Sequence, residues 1–349
     1  MDELEKRVGF VECNKLVAGL LQEALVTQAR AALARMPATE RGTSTLLSNL
    51  GRLLMGLGRL GEARPLYEEA LQAKRETLGN RHQDTLSSMN NMGMLLTDMY
   101  QLEEARSLLA EAVRACRETL GDRHSDTLSS IRSMGNLLKD MGQLEEARPL
   151  LEEVMRACRE TLGNRHPDTL LSLRNMGNLL KDTYQHEESR LLLEEALMAY
   201  RETLGDRNSH TLIAIRNLGN LYKDMGKLEE ARPLLEEALL ACKETLGDSH
   251  PRTLNSLGNL ADMLRIAGSL AEAENVLGNT VAVAQKFLGS NHMHTLKITA
   301  IAAQLQHAQL GGAAAGKKLL AATVAQMVKE LGESHPFVDK YEAVLREME

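Results

Sequence analysis

The sequence predicts an all-α protein built as a solenoid of helix–turn–helix repeats, and two observations lead to this fold class. The first is composition, because aromatic residues make up only 3% of the 349 residues and Trp is absent. A chain rich in Leu, Ala, Met, Glu and Arg favours helices and is unusual for a β-sandwich. The second is a pattern that recurs every 42 residues. A period of this length is typical of proteins that stack one supersecondary unit many times.

Three markers in one register define the repeat. A Leu-Gly pair closes each unit, a glycine lies centrally in the first half, and a small residue follows that glycine by twelve positions. The pairs are Leu78-Gly79, Leu120-Gly121, Leu162-Gly163, Leu204-Gly205, Leu246-Gly247, Leu288-Gly289 and, one residue late, Leu331-Gly332. The central positions are Gly51, Gly93, Gly135, Gly177, Gly219 and Ala261, and the small residues are Ala63, Ala105, Ala147, Ser189, Ala231 and Ala273.

Each unit is predicted to contain two helices, as residues 85–126 illustrate. Apolar residues recur at helical spacing in residues 85–100, and residues 102–120 repeat this pattern. An Asp or Thr ahead of the first helix can cap its N-terminus, and Gly121 can end the second helix in a left-handed conformation. One helix pair cannot bury its own apolar face, so neighbouring units are expected to stack.

The glycines and prolines inside the units carry further expectations about packing. A glycine in an exposed helix costs about 1 kcal/mol relative to alanine, so its repetition calls for a packing reason. Because Gly93 and Ala105 are both small, we expect the two helices of a unit to cross closely there. Pro65, Pro149 and Pro233 lie near the start of second helices, where other repeats have Ser107 and Leu191, so we expect at most a mild kink or a delayed helix start.

These markers resemble the tetratricopeptide repeat (TPR). The central glycine and two alanines in the second helix, such as Ala105 and Ala112, are similar to the small-residue pattern of that family. The phrase "LGNRHPDTL" at residues 162–170 looks like the connection found in the 42-residue type, which occurs in kinesin light chains and nephrocystin-3-like proteins. The resemblance covers about residues 43–331 and implies a right-handed superhelix whose first helices line a concave, peptide-binding groove.

The sequence divides into four predicted parts. Residues 1–42 are expected to form an N-terminal capping helix or helix pair, and residues 43–294 are expected to form six repeats. Residues 295–335 lose the central glycine and are assigned to a degenerate seventh repeat, followed by a C-terminal capping helix at residues 336–349. Caps are expected because a terminal repeat would otherwise expose an apolar face.

Repeated histidines and cysteines are the first candidates for chemistry. Equivalent atoms two helices apart lie roughly 15–20 Å from each other, whereas zinc ligands lie about 2 Å from the metal and bridged cysteines have Cα atoms within about 7 Å. We therefore assign the histidines to turns and the cysteines to the core, and we predict no metal, no cofactor and no enzyme. The residues concerned are His82, His124, His166, His250 and His292, and Cys116, Cys158 and Cys242, while Cys13 stands outside this register.

A stripe of polar residues on the first helices is the candidate binding surface. It contains the positions six and three before the central glycine and one and four after it, which fall within about 80° of arc. Its cations are Arg52, Arg132, Lys139, Arg174, Lys181, Arg216, Lys223 and Arg265, against one acid, Asp262. The stripe also contains Asn90 and Asn255, and the amides selected as candidate ligand contacts are Asn136, Asn178 and Asn220 in the stripe and Asn91, Asn175, Asn217 and Asn259 at its edge. We call these cations and amides the basic stripe.

Parts of the basic stripe resemble the two-carboxylate clamp of chaperone-tail-binding TPR domains. In that pattern an arginine, the asparagine four residues later and an asparagine of the next unit act together. The matching residues here are Arg132, Asn136 and Asn175, and then Arg174, Asn178 and Asn217 with Arg216. The resemblance implies that these residues hold carboxylates of a peptide ligand.

The predicted function is a non-enzymatic protein–protein interaction scaffold that binds an acidic or C-terminal peptide segment. Arginine offers a planar fork matched to carboxylates, and asparagine can both donate to and accept from a peptide backbone. The stripe runs against the net charge of −7, so the protein is expected to be acidic outside and basic in the groove. Asp140, Asp182 and Asp224 flank the stripe and can neutralise some of its cations. The simpler alternative is a helix face that is polar only because it meets water.

Two other functions stay open. A cargo adapter like the kinesin light chains follows from the resemblance alone. Nucleic-acid binding is disfavoured because the net charge is −7 and the stripe offers no stacking aromatic residue. No apolar run is long enough to predict a membrane-spanning helix, and a cytoplasmic protein is expected. The sequence leaves the identity of the partner and the oligomeric state open.

Overall fold

The computed structural model describes residues 23–309, 314–333 and 335–348, and within these ranges the secondary structure consists of helices without strands. The predicted all-α fold of stacked helix pairs is confirmed for the described residues. Most of the predicted N-terminal cap, residues 1–22, and Cys13 lie outside the described residues. The chain forms two compact units, one ending at Thr183 and the other beginning at Tyr184. The division into four parts predicted above stays a prediction.

Within each unit, most helices that are neighbours in the chain pack against one another. Unit 1 contains α1 (described over 23–35), α2 (Ala38–Arg41), α3 (Thr45–Gly56), α4 (Leu60–Leu78), α5 (Gln83–Asp98), α6 (Leu102–Leu120), α7 (Ser125–Asp140), α8 (Leu144–Leu162) and α9 (Pro167–Asp182). Unit 2 contains α10 (His186–Leu204), α11 (Ser209–Asp224), α12 (Leu228–Leu246), α13 (Pro251–Ile266), α14 (Leu270–Leu277), α15 (Thr280–Leu288), α16 (Met293–Gln309), α17 (Ala314–Leu331) and α18 (Pro336–Glu347).

The central glycine of a first helix faces a large side chain of the second helix, which is Tyr67 for Gly51 and a leucine for Gly93, Gly135 and Gly219. A Cβ atom at Gly93 would lie 2.5 Å from the side chain of Leu109, and one at Gly135 would lie 2.8 Å from Leu151. Both leucines are fully buried. The expected close approach therefore exists, but its partner is the residue sixteen positions on, whereas the sequence analysis had named Ala105. The glycine makes room for a large side chain, so one leucine fills the space between the two helices.

Histidine caps the first helices, a role that the sequence analysis had given to Asp or Thr. The Nδ1 atom of His124 accepts a hydrogen bond from the backbone N–H of Asp126 at 3.2 Å, and the other turn histidines do the same. In α11 the cap is Asn208, whose Oδ1 accepts from the N–H of His210 at 2.9 Å. The prediction that these histidines are structural residues of the turns is confirmed. Each holds one of the otherwise unpaired donors at the start of a helix.

The second helices have one common length up to α12. Helices α4, α6, α8, α10 and α12 each contain 19 residues, whether the sixth position is Pro, Ser or Leu. The delayed start expected from the prolines is therefore not observed. Each of these helices ends at a glycine such as Gly121, which has φ 86° and ψ 162°. Only glycine adopts this combination readily, which explains the recurring Leu-Gly pair.

The second helix of the sixth repeat is broken, which the sequence analysis did not foresee. Helix α14 ends at Leu277, Gly278 adopts φ 42°, and α15 begins at Thr280. Earlier repeats have Glu68, Ala110 or another helix-forming residue at the position of Gly278. A glycine in a helix is about 1 kcal/mol less favourable than an alanine. Because Gly278 lacks a side chain, it can adopt a positive φ, and the helix is interrupted at this residue.

Ion pairs connect the second helices of successive repeats. Arg75 bonds Glu111 at 3.1 Å, Arg117 bonds Glu153 at 2.7 Å, and Arg201 bonds Glu237 at 2.7 Å. In each case the arginine reaches a glutamate 36 residues later. A single exposed ion pair contributes about 0–1 kcal/mol, but this one recurs along the chain. We call this series the ion-pair ladder.

The contact between Gly135 and Leu151 predicts a large effect of substitution at the glycine. Gly135→Leu should lower the free energy of unfolding by about 1–3 kcal/mol or more, because overpacking outweighs the gain in helix propensity. Gly61→Leu is the matched control, since nothing lies within 4 Å of a Cβ atom there. Urea denaturation followed by circular dichroism measures both, and equal stability of the two variants would contradict the packing role of the glycine.

The histidine caps give a second prediction. His124→Ala should lower the free energy of unfolding by about 1 kcal/mol, because the first turn of α7 loses a hydrogen-bond acceptor. His124→Asn should retain most of the stability, since Asn208 performs the same role in α11. Hydrogen exchange of the first-turn amides of α7 locates the effect. Equal protection in the Ala and Asn variants would show that the cap contributes nothing.

Candidate functional site

The basic stripe lies on first helices that contact one another along each unit. In unit 1, α5 packs against α7 and α7 packs against α9, and in unit 2 α11 packs against α13, which also packs against α16. The stripe positions of α5, α7 and α9, and those of α11 and α13, therefore lie on adjacent helices. Most of the stripe cations are half-buried.

Arg132 in α7 lies between two repeats. Its Nη2 donates to the hydroxyl of Ser129 at 3.2 Å, and its Nη1 lies 3.3 Å from the carboxylate of Asp168 in the first turn of α9. Only 14% of the Arg132 side chain is exposed. This pairing was not predicted, because Asp168 belongs to the segment interpreted as the connection between repeats. Arg132 and Asp168 are separated by 36 residues, and this separation was the only clue in the sequence to their contact. It was missed because Asp168 lies in the next repeat and outside the stripe.

Two lysines of unit 1 share carboxylates at the C-terminal ends of α7 and α9. Lys139 lies 2.6 Å from Asp140 and 3.9 Å from Asp182, and Lys181 lies 2.9 Å from Asp182. Burial alone would lower the pKa of Lys139, but the charges of Asp140 and Asp182 outweigh it and raise the pKa. Both aspartates had been named as possible neutralising residues, and their pairing with the lysines is confirmed.

In unit 2 one buried carboxylate serves two cations of the stripe. Asp262 is 8% exposed and lies 2.7 Å from Lys223 and 2.8 Å from Arg265. Burial would raise the pKa of Asp262, but the charges of Lys223 and Arg265 overcome this effect and hold the pKa well below its usual range. The acid that interrupts the stripe in the sequence therefore lies at the centre of a charged cluster, and it limits the positive charge of Lys223 and Arg265.

The remaining stripe residues differ in how accessible they are. Arg52 is exposed and its Nη2 donates to Oδ1 of Asn49 at 2.8 Å, whereas Asn175 is only 6% exposed. The Oδ1 atom of Asn220 is buried and has no hydrogen-bond partner among the described residues. Its exposed surface is below 1 Å², so the amide has to rotate before this oxygen can accept from a ligand backbone N–H. The half-buried members are Asn91, Asn136, Arg174, Asn178, Arg216, Asn217 and Asn259.

The two predicted carboxylate clamps have different positions in the chain. Arg132, Asn136 and Asn175 all belong to unit 1, on the adjacent helices α7 and α9. The second set is divided, since Arg174 and Asn178 belong to unit 1 and Arg216 and Asn217 to unit 2. Because Arg132 already contacts Asp168, a ligand carboxylate would compete with that aspartate. Both clamps stay predictions.

A buried cation outside the stripe was not predicted. Lys74 occupies the register of Cys116 and Cys158, and its Nζ atom donates to the hydroxyl of Ser88 at 2.9 Å. Burial lowers the pKa of Lys74, and the nearby charge of Asp84 opposes this shift. The contact joins α4 to α5 in the core, so Lys74 acts in packing between repeats.

The described residues give little support for other chemistry. Between residues 23 and 348, no cluster of three or more His, Cys, Asp or Glu among those described is arranged to hold a metal ion. Cys116, Cys158 and Cys242 are buried free thiols, as predicted, and burial raises their pKa and so disfavours the reactive thiolate. None of the described helices is both long and apolar enough to cross a membrane.

Three solved structures illustrate the similarity of this chain to known proteins. A crystal structure of nearly identical TPR-like repeats of a putative kinesin light chain from Podosopora anserina shares 28% identity, with a TM-score of 0.47, over 59% of this chain and 97% of that chain. BtubC (BKLC) from P. vanneervenii shares 17% identity, with a TM-score of 0.50, over 70% of this chain and 94% of that chain. A Rap protein complexed with Competence and Sporulation Factor shares 13% identity, with a TM-score of 0.51, over 94% of this chain and 99% of that chain. The last two similarities show the fold alone.

None of the curated proteins compared with the chain matches it. The family model for the tetratricopeptide repeat matches three segments, residues 42–118, 126–202 and 210–286. These segments cover most of the chain and coincide with the helix pairs described above. The TPR fold is a scaffold typical of protein–protein interaction. On this evidence the chain belongs to the tetratricopeptide repeat family, in agreement with the resemblance found in its sequence.

Proposed function

We propose that this protein is a non-enzymatic scaffold whose basic stripe binds an acidic peptide segment of a partner protein. The observation that supports this most is the recurrence of arginine at one half-buried register, Arg132 and Arg174 in unit 1 and Arg216 in unit 2. A half-buried guanidinium is less screened by water than an exposed one, so it attracts a carboxylate more strongly. An acidic side chain or a chain terminus can supply that carboxylate.

The amides support a peptide as the ligand. The unpaired Oδ1 of Asn220 lies one helical turn from Arg216 on α11. If the Asn220 amide rotates to expose this buried oxygen, it can accept from the N–H of a peptide while Arg216 binds the carboxylate. A bare metal ion or a small inorganic anion would use only one of these groups.

The lysines contribute less than the sequence analysis expected. Lys139 and Lys181 share Asp140 and Asp182, and Lys223 and Arg265 share Asp262. These clusters are partly neutralised, so the proposal depends on the arginine register. The expected cytoplasmic location stays part of this proposal and follows from the sequence composition alone.

Charge reversal at the arginine register tests the proposal. Arg174→Glu combined with Arg216→Glu should weaken binding of an acidic peptide with blocked ends by about tenfold or more, because like charges then face the ligand. Arg114→Glu combined with Arg156→Glu is the matched control, since it makes the same charge change at exposed positions of second helices. Fluorescence anisotropy measures the affinities, and circular dichroism verifies that each variant is folded.

Three results would contradict the proposal. The acidic peptide could fail to bind the wild-type protein, or both double variants could lose the same affinity, which would indicate nonspecific attraction. A single-stranded RNA that binds more tightly than the peptide, with a steep salt dependence, would favour nucleic-acid binding.

A further inference from the structure

A pocket in unit 2 lies at the meeting point of three helices. It is bounded by α11, the C-terminal end of α12 and the first turns of α13, and its cavity volume is about 100 Å³. This volume is smaller than the roughly 300–1,000 Å³ of sites for drug-sized ligands, so the pocket has room only for a small group. Leu212, Ile213 and Leu246 contribute apolar surface, and Cys242 and Ser256 lie in the wall. The pocket can therefore enclose a compact apolar group.

Three arginines also line this pocket, namely Arg207, Arg216 and Arg252, and no acidic residue is among the described residues that line it. Arg207 forms an ion pair with Glu244 at the outer side, so its charge is compensated. The positive charge of Arg216 and Arg252 extends to the thiol of Cys242, where both oppose the rise in pKa that burial causes. The pocket thus combines an apolar interior with a positive edge.

The repeat pattern shows that this charge is a departure from the rest of the chain. In unit 1, Arg132 faces Asp168, which lies in the first turn of the next first helix. Two repeats later the corresponding residues are Arg216 and Arg252. A carboxylate in unit 1 is therefore replaced by a second guanidinium in unit 2. Two arginines at this place attract an anionic group more strongly than the arginine and aspartate of unit 1.

We infer that this pocket binds a carboxylate carried on a compact apolar group. The carboxylate would lie between Arg216 and Arg252, and the apolar group would pack against Leu212, Ile213 and Leu246. This chemistry belongs both to a protein C-terminus that ends in a residue such as leucine and to a free branched-chain carboxylic acid. The inference goes beyond the basic stripe, since Arg252 and the apolar wall are not part of it.

Arg252→Asp restores the pattern of unit 1 and is the central test. The variant is expected to fold, because Asp occupies this helix position in three earlier repeats and acidic residues are favourable near a helix N-terminus. A short neutral peptide ending in leucine with a free carboxylate should lose about tenfold or more in affinity. Arg156→Asp, an exposed position on α8, is the charge-matched control and should leave the affinity unchanged.

Three further ligands identify the recognised group by isothermal titration calorimetry. The same peptide with an amidated C-terminus should bind much more weakly, and so should a peptide that ends in serine. Equal binding of the acid and the amide, or of leucine and serine, would overturn the inference. If 4-methylpentanoate binds the wild-type protein, depends on Arg252 and equals the peptide in affinity, the natural source is a free acid; tighter peptide binding identifies a chain terminus.

The internal acidic peptide with blocked ends separates this site from the proposed function. It should bind an Arg252→Ala variant, which places no carboxylate beside Arg216, as it binds the wild-type protein, and Arg174→Glu should weaken it. If the internal acidic peptide does not bind the wild-type protein, while binding of the leucine-terminated peptide depends on Arg252, the proposed function is wrong and the pocket assignment holds. If neither peptide nor 4-methylpentanoate binds the wild-type protein, the pocket assignment is wrong.

Discussion

The packing of a second-helix leucine against a first-helix glycine is the contact on which the rest of the structure depends. Leu109 and Leu151 lie where a side chain at Gly93 or Gly135 would otherwise be, so the two helices of a repeat meet closely at a fixed point. Because one leucine fills the gap, the register of one helix relative to the other is fixed. The faces turned away from this contact then recur in the same orientation within each unit, which aligns the stripe positions.

Half-burial of the stripe cations explains how their charges are distributed. A cation that is only 14% exposed at Arg132, or 10% at Lys223, loses much of its hydration and needs an oxygen partner. The chain supplies Asp168 and Asp262 for this purpose. A face that looks strongly basic in the sequence is therefore only moderately basic in the folded protein. The repeats differ from one another in which of these internal carboxylates they contain.

The sequence predicted the fold well because its signals are local and repeated. Helical periodicity, the central glycine and the Leu-Gly pair each depend on contacts within one repeat, and the repetition of a weak signal makes it reliable. The identity of Leu109 as the partner of Gly93 could not be read from the chain, since it depends on how two helices are rotated about their axes. The break at Gly278 was missed because a single glycine in a helix is usually tolerated.

The candidate site was harder to predict because its electrostatics cross repeat boundaries. The positions of Arg132 and Arg216 on one face follow from helical geometry, but Asp168 belongs to a different repeat and lay outside the pattern under consideration. Histidine as a helix cap was also missed, because the preferred capping residues are Ser, Thr, Asp and Asn. Asn208 at the same register as His124 was the available clue.

The ion-pair ladder has a consequence for how such a chain can change in length. Each ion pair joins an arginine to a glutamate of the following repeat. A repeat within the ladder therefore supplies a glutamate to the repeat before it and an arginine to the repeat after it. Insertion or deletion of a whole 42-residue segment would therefore leave each junction with a matching pair of charges. The same holds for the histidine caps, which are local to each turn. Duplication of the gene segment for one repeat would thus encode a longer protein whose new junctions already have complementary charges. Such junctions allow near-identical repeats to accumulate in one chain.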